Sequence, residues 1–416
     1  MRISSVTMFE QSVSSMNRQQ GEFLKVSEQV ASGRRVVNPS DDPQAASRAV
    51  GVDQSKAMTQ QYADSRVSAR NSLSQSESVL NSVSDAVTSA KTLLIQAASD
   101  TLSDADRQSV ASELRGVYET LLGQANATDG NGRYLFGGYR DDSPPFVKDS
   151  SGAVQYVGDD RGREQRIDSS RLMEVSSSGA GIFQSVPSGA DSVATADKDN
   201  TGSVTFKGPQ VVDREAVDSG ASYDITFSYD ALATPPSYTY EVTDSAGGSL
   251  MPPVTGSYDP DASEPVRIEF GGLTMELEGQ PADGDSIAVR PADHKDNTDL
   301  FTTLESALGV LENPAQNDAE KAALRNTLNT SMRKLDNSLD NVLTTRASMG
   351  ARLNELDVVD QVGSNRLLNY EQTLSDLVDL DYAEAASEYS LRQLGLQASQ
   401  LTFADLKDMS LFNYLR

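Results

Sequence analysis

Few residues in this sequence are placed to do chemistry. The single histidine, His294, sits in the polar run Ala292-Asp293-His294-Lys295-Asp296, which reads as a solvated linker rather than a ligand or a general base. Asp41 and Asp42 are adjacent carboxylates, but they belong to Asn38-Pro39-Ser40-Asp41-Asp42-Pro43. Helix capping accounts for them there, because Asp suits an N-cap and proline suits the first helical position. Asp197-Lys198-Asp199-Asn200-Thr201-Gly202 begins like a calcium loop, whose twelfth position takes a bidentate glutamate; in this sequence that position is Gly208. Gly179-Ala180-Gly181 starts like a dinucleotide fingerprint but lacks the third glycine and the strand-to-helix setting. The absence of cysteine rules out disulfides, thiolate nucleophiles and cysteine-ligated zinc. No catalytic, cofactor-binding or metal site emerges, and the expectation is a protein without cofactor that is not an enzyme.

What the residues do specify is elements that pack. Of the 416 residues, 37% are hydrophobic and 6% aromatic, with no tryptophan, a composition that fits elongated modules with thin cores. The net charge of -26 argues against nucleic-acid and anionic-membrane partners, whose phosphates would repel it. The charge is unevenly spread: residues 1–70 are near neutral at +2, whereas residues 141–300 carry -18. A near-neutral end can pack against copies of itself, and an acidic middle stays solvated. The opening Met1-Arg2-Ile3-Ser4-Ser5-Val6-Thr7-Met8-Phe9-Glu10 holds no apolar run of signal-peptide length, so export, if it occurs, is expected without a cleaved signal. No stretch reaches the ~18 apolar residues of a membrane span.

Heptads mark both ends of the chain. With Val6, Val13, Gln20 and Ser27 at one seam position and Phe9, Met16, Phe23 and Val30 at the other, the first helix carries a coiled-coil stripe that stops at Ser32-Gly33. A second helix is expected from about 43 to about 100, with Leu73, Leu80, Val87 and Leu94 spaced by seven and Ser76, Val83, Ala90 and Ala97 between them. At 1.5 Å per residue it would be roughly 85 Å long, the length of a rod. Ser103-Asp104-Ala105-Asp106 reads as a capping box opening a third helix with Val110, Leu114, Val117, Leu121 and Ala125 on its stripe. The aromatic run Tyr134-Leu135-Phe136-Gly137-Gly138-Tyr139 that follows is expected to be strand. After a short helix bearing Phe301, Leu304, Leu308 and Leu311, the longest repeat appears. Leu328, Leu335, Val342, Met349, Leu356, Gly363, Tyr370 and Leu377 form one row, and Met332, Leu339, Arg346, Leu353, Asp360, Leu367 and Leu374 form a second. Arg346 and Asp360 either set register as buried polar groups or lie on the exposed edge of the stripe. A last helix follows Asp381, with Leu391, Leu394, Ala398 and Leu401 on its face and the apolar end Leu411-Phe412 beyond.

Between the helical ends the period changes to two. Val204-Thr205-Phe206, Tyr223 to Phe227, Tyr238 to Val242, Val266 to Phe270 and Ser286 to Val289 are short alternating runs punctuated by Gly and Pro, an all-β pattern. The fold class expected is α+β: an elongated helical bundle or coiled coil made by the N- and C-terminal segments, with a central all-β insert. The organisation expected is an N-terminal assembly helix (1–42), the first half of a helical rod (43–140), a β-hairpin region (141–190), a β-rich inserted domain (191–296), the second half of the rod (297–381) and a C-terminal assembly helix (382–416). Rod-core positions are Leu73, Leu80, Leu94, Leu335, Leu339, Val342, Met349, Leu353 and Leu356. Assembly positions are Val6, Phe9, Val13, Met16, Phe23, Val30, Leu391, Leu394, Leu401, Leu411 and Phe412. The seam of the first arm is too thin to offset the entropy of ordering it, so both arms are expected to be disordered in the free monomer and to fold on assembly.

The run Ala31-Ser32-Gly33-Arg34-Arg35-Val36-Val37-Asn38-Pro39-Ser40-Asp41-Asp42-Pro43 resembles the flagellin superfamily, in the form carried by its hook-filament junction branch. Met1-Arg2-Ile3-Ser4, Thr101 to Arg107, Asp129 to Tyr134, Asn341 to Ala347, Ser375 to Asp379 and Ser410-Leu411-Phe412 match the same family. The likeness covers roughly residues 1–175 and 297–416. It implies a structural adaptor of the bacterial flagellum, outside the cell, exported through the flagellar type III channel with a dedicated chaperone. Its partners would be neighbouring copies of itself in a ring, the first hook-associated protein and flagellin. A filament flagellin, or an adhesin-like module that binds through the β insert, are the competing expectations. The apolar arm at 391–415 is the expected chaperone site.

Overall fold

The computed structural model describes residues 5–99, 101–217, 220–232, 237–245, 248–262 and 264–408. Seven helices are described: α1 (Ser5–Ser32), α2 (Pro43–Ala97), α3 (Asp104–Ala125), α4 (Gly179–Phe183), α5 (Leu300–Glu312), α6 (Asp318–Val378) and α7 (Tyr382–Asp408). The strands between α3 and α5 are β1 (Phe146–Lys148), β2 (Val154–Tyr156), β3 (Glu164–Asp168), β4 (Arg171–Glu174), β5 (Val193–Ala196), β6 (Thr205–Val211), β7 (Tyr223–Asp230), β8 (Ser237–Asp244), β9 (Ser249–Tyr258), β10 (Val266–Phe270), β11 (Leu273–Glu278) and β12 (Ser286–Arg290). Helical ends enclosing an all-β insert are thus the observed architecture. The chain divides into two compact units, one made of residues 1–65 and 357–416 and the other of residues 66–356.

In the unit of residues 66–356, α2 supplies a row of fully buried side chains, Leu73, Leu80, Val87 and Leu94, flanked by Ser76, Val83, Ala90 and Ala97. On α6 the row Leu328, Leu335, Val342, Met349 and Leu356 is fully buried. Leu339 and Leu353 are only half-buried. The second buried row lies three residues after the first, at Ser331 and Ser338, and not four residues after it, so Leu339 and Leu353 sit at the edge of the stripe. Arg346, on that second row, pairs with Glu77 of α2 at 2.8 Å. On α3 the capping box is present, Ser103 accepting from the Asp106 N–H and Asp106 accepting from Ser103. Tyr118 rather than Val117 completes its buried stripe.

Residues 134–139 are not the strand their aromatic content suggested. A single bridge joins Thr128 to Tyr134, the chain turns at Gly137 and Gly138, and Leu135 and Phe136 point into the interior. Phe136, Phe146, Phe183 and Phe301 form one cluster with ring centroids 5.3–6.0 Å apart, so Phe136 plugs the core while Tyr139 stays exposed. The small antiparallel pairs β1–β2 and β3–β4 follow. The buried Arg66 of α2 donates to the Ile167 carbonyl of β3 at 3.0 Å.

The insert is two antiparallel sheets, β10-β11-β6 and β5-β12-β7-β8-β9, closed over a core that includes Phe206, Ile225, Phe227, Val242, Ile268, Leu277, Ile287 and Val289. Alternation produces this directly: in β10, Ile268 and Phe270 face the core while Arg267 and Glu269 face solvent. β9 carries Pro252 and Pro253. Proline cannot donate to a ladder and is confined to sheet edges, and β9 is an edge strand of its sheet.

Candidate assembly surfaces

In the unit of residues 1–65 and 357–416, two chain reversals meet. α1 ends at Gly33, whose φ of +69° is the left-handed turn that glycine makes without cost. Its N–H donates to the Gln29 carbonyl at 2.9 Å. An added Cβ there would lie 2.8 Å from the hydroxyl of the exposed Tyr382 side chain, which can move aside, so it is the conformation that calls for glycine. The α6-to-α7 reversal lies alongside. Arg34 and Asp379 form an antiparallel bridge, the Arg35 N–H donates to the Val378 carbonyl at 2.7 Å, and the Leu380 N–H donates to the Gly33 carbonyl at 3.1 Å. The Arg35 guanidinium donates to the Leu377 carbonyl at 2.6 Å, satisfying a carbonyl in the last turn of α6, and is held from behind by Asp42 at 3.3 Å. Two motifs far apart in sequence, 31–43 and 375–379, therefore build one corner.

The acidic pair in this corner caps and clamps. Asp42 accepts from the Ala45 N–H at 3.0 Å at the start of α2. Asp41 accepts from the Asn38 N–H at 2.9 Å and pairs with Lys25 at 3.1 Å. Those N–H donors, aided by Lys25 and Arg35 respectively, hold both carboxyls below their usual pKa.

From the corner, α1 and α7 pack against each other. Phe9 lies against Phe403 with ring centroids 5.2 Å apart, and Phe23 against Tyr389 at 5.0 Å. Arg392 pairs with Glu22 of α1 and, at 3.1 Å, with Glu388. A Cβ on Gly395 would come 3.1 Å from the Gln19 side chain, a measure of how close the helices run. Val13, Met16, Phe23 and Val30 are half-buried along this face, and Val26 is buried. Gln20, expected on the seam, is exposed; Gln19 and Val26 take the seam as the helix drifts from the heptad. Phe9 is 45% exposed.

On α7 the seam is not the leucine row. The residues that face α1 are Ala385, Tyr389, Arg392, Leu396, Ser399 and Phe403, at alternating four- and three-residue steps. Leu391, Leu394 and Leu401 are 67%, 65% and 68% exposed, and at ~100° per residue they fall on the opposite side of the helix. The seam row was legible as a heptad, but its Arg and Ser concealed it behind the more apolar leucines. α7 thus has one face engaged and one apolar face bare. Leu411 and Phe412, with the side chain of Val6, lie outside the described residues. No helix among the described residues is long and apolar enough to cross a membrane.

Residues 3–141 match the family described as the bacterial flagellin N-terminal helical region. The chain is 33% identical over 417 residues to flagellar hook-associated protein 3 of Salmonella typhimurium, covering 100% of both. It is 33% identical over 413 residues to the Escherichia coli protein of the same name, covering 99% of each. Among solved structures, FlgL of Xanthomonas campestris superposes with a TM-score of 0.66 at 28% identity, over 78% of this chain and 99% of that one. The flagellar junction protein FlgL of Legionella pneumophila gives 0.66 at 25%, over 80% and 100%. The likeness to the curated relatives runs through the insert as well as the two ends, which corrects the narrower extent expected from the motifs.

Proposed function

The chain belongs to the flagellar hook-associated protein 3 family and is a structural component of the bacterial flagellum, and from that premise we propose that it is the adaptor between hook and filament. Copies form a ring between the first hook-associated protein and the first flagellin subunits. The chain reaches that site outside the cell through the flagellar export channel, without a cleaved signal and escorted by a chaperone that holds the C-terminal arm.

The observation that carries this reading is the two-faced α7. One face is taken by α1 within the chain, and the other presents Leu391, Leu394 and Leu401 to whatever lies beside it. An apolar row on the outside of a helix pair is costly for a free monomer and appropriate for a subunit whose neighbours cover it. The corner supports the same reading, because it ties the α1-to-α2 and α6-to-α7 reversals together, so α1 and α7 start as a pair.

The test is electron microscopy of cells lacking the gene, with the medium assayed for flagellin. Intact hooks without filaments, and flagellin lost to the medium, are expected. Filaments of normal length would refute the adaptor role.

A further inference from the structure

α6 is buried on two faces in its N-terminal half. Opposite the Leu328–Leu335–Val342 row lies a polar row that points at the insert. Asn326 donates to the Val204 carbonyl at 2.8 Å and accepts the Phe206 N–H at 3.1 Å, the two bonds a strand neighbour would make with β6. Asn329 donates to the Phe206 carbonyl at 3.0 Å and Thr330 to the Ala194 carbonyl at 2.7 Å. Arg333 reaches the Asp191 carboxylate at 2.9 Å and the Pro209 carbonyl at 3.2 Å. Asn337 donates to the Asp191 carbonyl at 2.8 Å. At the end of the row, Asn341 donates instead to the Gly181 and Ile182 carbonyls of α4, outside the insert, both at 2.9 Å. At 100° per residue these six positions fall within about 60° of one line along the helix. Asn326, Thr330, Asn337 and Asn341 are each less than a tenth exposed. Lys334, at the margin of the row, donates to the Asp296 carbonyl at 2.6 Å.

We propose that this row is the device that fixes the orientation of the insert on the rod, so that the insert is a rigid extension of α6 and not a module on a tether. The grip falls on each part of the insert that decides its pose: the incoming link (Asp191), edge strand β5 of the larger sheet (Ala194), β6 of the smaller sheet and the residue before it (Phe206, Pro209, Val204), and the outgoing link (Asp296). Nearly all the acceptors are main-chain carbonyls. The row therefore recognises the insert by its backbone, and the outward-facing side chains of the strands can change without loosening it. A buried amide that loses its partner is left with an unmet hydrogen-bonding group, so the row is either fully seated or released, which favours one pose over a continuum.

The chain has no cysteine, so two introduced cysteines take nitroxide labels without interference. With labels at Ser89→Cys on α2 and Glu241→Cys on β8, both exposed, pulsed electron resonance of the full chain should give one narrow distance peak. The near-isosteric pair Asn326→Leu with Asn337→Leu should lose that single peak to a broad distribution, while circular dichroism shows the helices and strands retained. A peak equally narrow in the folded double variant overturns the proposal, as does a broad distribution in the parent. If the double variant does not fold, Asn326→Leu alone carries a second readout. Hydrogen exchange at the Phe206 amide should accelerate at least ~10-fold, the loss expected when a buried N–H gives up its only good acceptor. Unchanged exchange there also overturns it.

Discussion

Replacing Leu394 by Asp separates the two faces of α7. Complete burial of a leucine side chain contributes ~1.5–3 kcal/mol. Leu394 is 65% exposed in the single chain, so a neighbour that covers it gains about 1–2 kcal/mol at this position. Asp removes that gain and adds the desolvation of a carboxylate. The first term alone weakens each subunit contact by roughly 5–30-fold, and a closed ring loses it once at every subunit. The residue does not face α1 and lies outside the 66–356 unit, so the melting of that unit should not change, and because Leu394 belongs to the arm the chaperone is proposed to hold, export is measured separately. The assay is complementation of cells lacking the gene, scored by filament count, flagellin in the medium and the amount of variant exported. Gln393→Asp puts the same charge one residue away, off the leucine row, and serves as the control. Leu394→Asp is expected to leave hooks bare and flagellin in the medium even when the amount of variant exported is matched to that of Gln393→Asp. If it supports as many filaments as Gln393→Asp, the bare leucine row is not an assembly surface and the reasoning fails.

Other consequences can be measured on the purified chain. The unit of residues 1–65 and 357–416 buries few large apolar side chains, Val26 and Val36 among them, so amide exchange in α1 and α7 of the monomer should be fast; strong protection there would refute assembly-coupled folding. Leu335→Ala, at a fully buried site on α6, should destabilise the 66–356 unit by ~2–5 kcal/mol in denaturant melts, whereas Leu343→Ala at a largely exposed site should stay within about 0.5 kcal/mol. Asp42, Asp106, Asp129 and Asp159 are all held below the ordinary carboxylate value of 3.8, Asp159 to about 2 by the Arg161 side chain. A folded pKa below the unfolded one stabilises at pH above 3.8, and that stability is lost as pH falls through the folded value. The melting temperature should therefore decline between about pH 4 and pH 2, and an acid-insensitive melt would contradict those contacts.

Much of the architecture was readable because heptads and alternation report directly on what must be buried. The rows through Leu73 and Leu335 needed only counting, and the Asp42-Pro43 cap announced the start of α2. What was not readable has a common cause: periodicity detects apolar faces and misses polar ones. The α1-facing row of α7 contains Arg392 and Ser399, which found Glu22 and a close helix neighbour, and the leucines outshone it. The insert-facing row of α6 is asparagine and threonine, which read as solvated until the backbone carbonyls they meet are known. β9 was hidden by Pro252-Pro253, whose meaning depends on an edge position that only the sheet order reveals. Residues 134–139 show the converse, an aromatic run that turns at its glycines and buries Leu135 and Phe136 as core while Tyr139 stays exposed.

The corner and the rod share a property that bears on when this protein can fold. The Arg35–Leu377 bond joins residues 342 apart, and the Glu77–Arg346 pair joins residues 269 apart. These contacts tie α1 and the first half of the rod to helices at the other end of the sequence. Contacts of such high order form late, because loop closure is paid for before any of them rewards it. A chain delivered in linear order, from either end, carries its first helices a long way before their partners exist. On the proposed export route, such a chain would stay threadable for most of the passage and close once both ends have arrived, so timing is written into the topology.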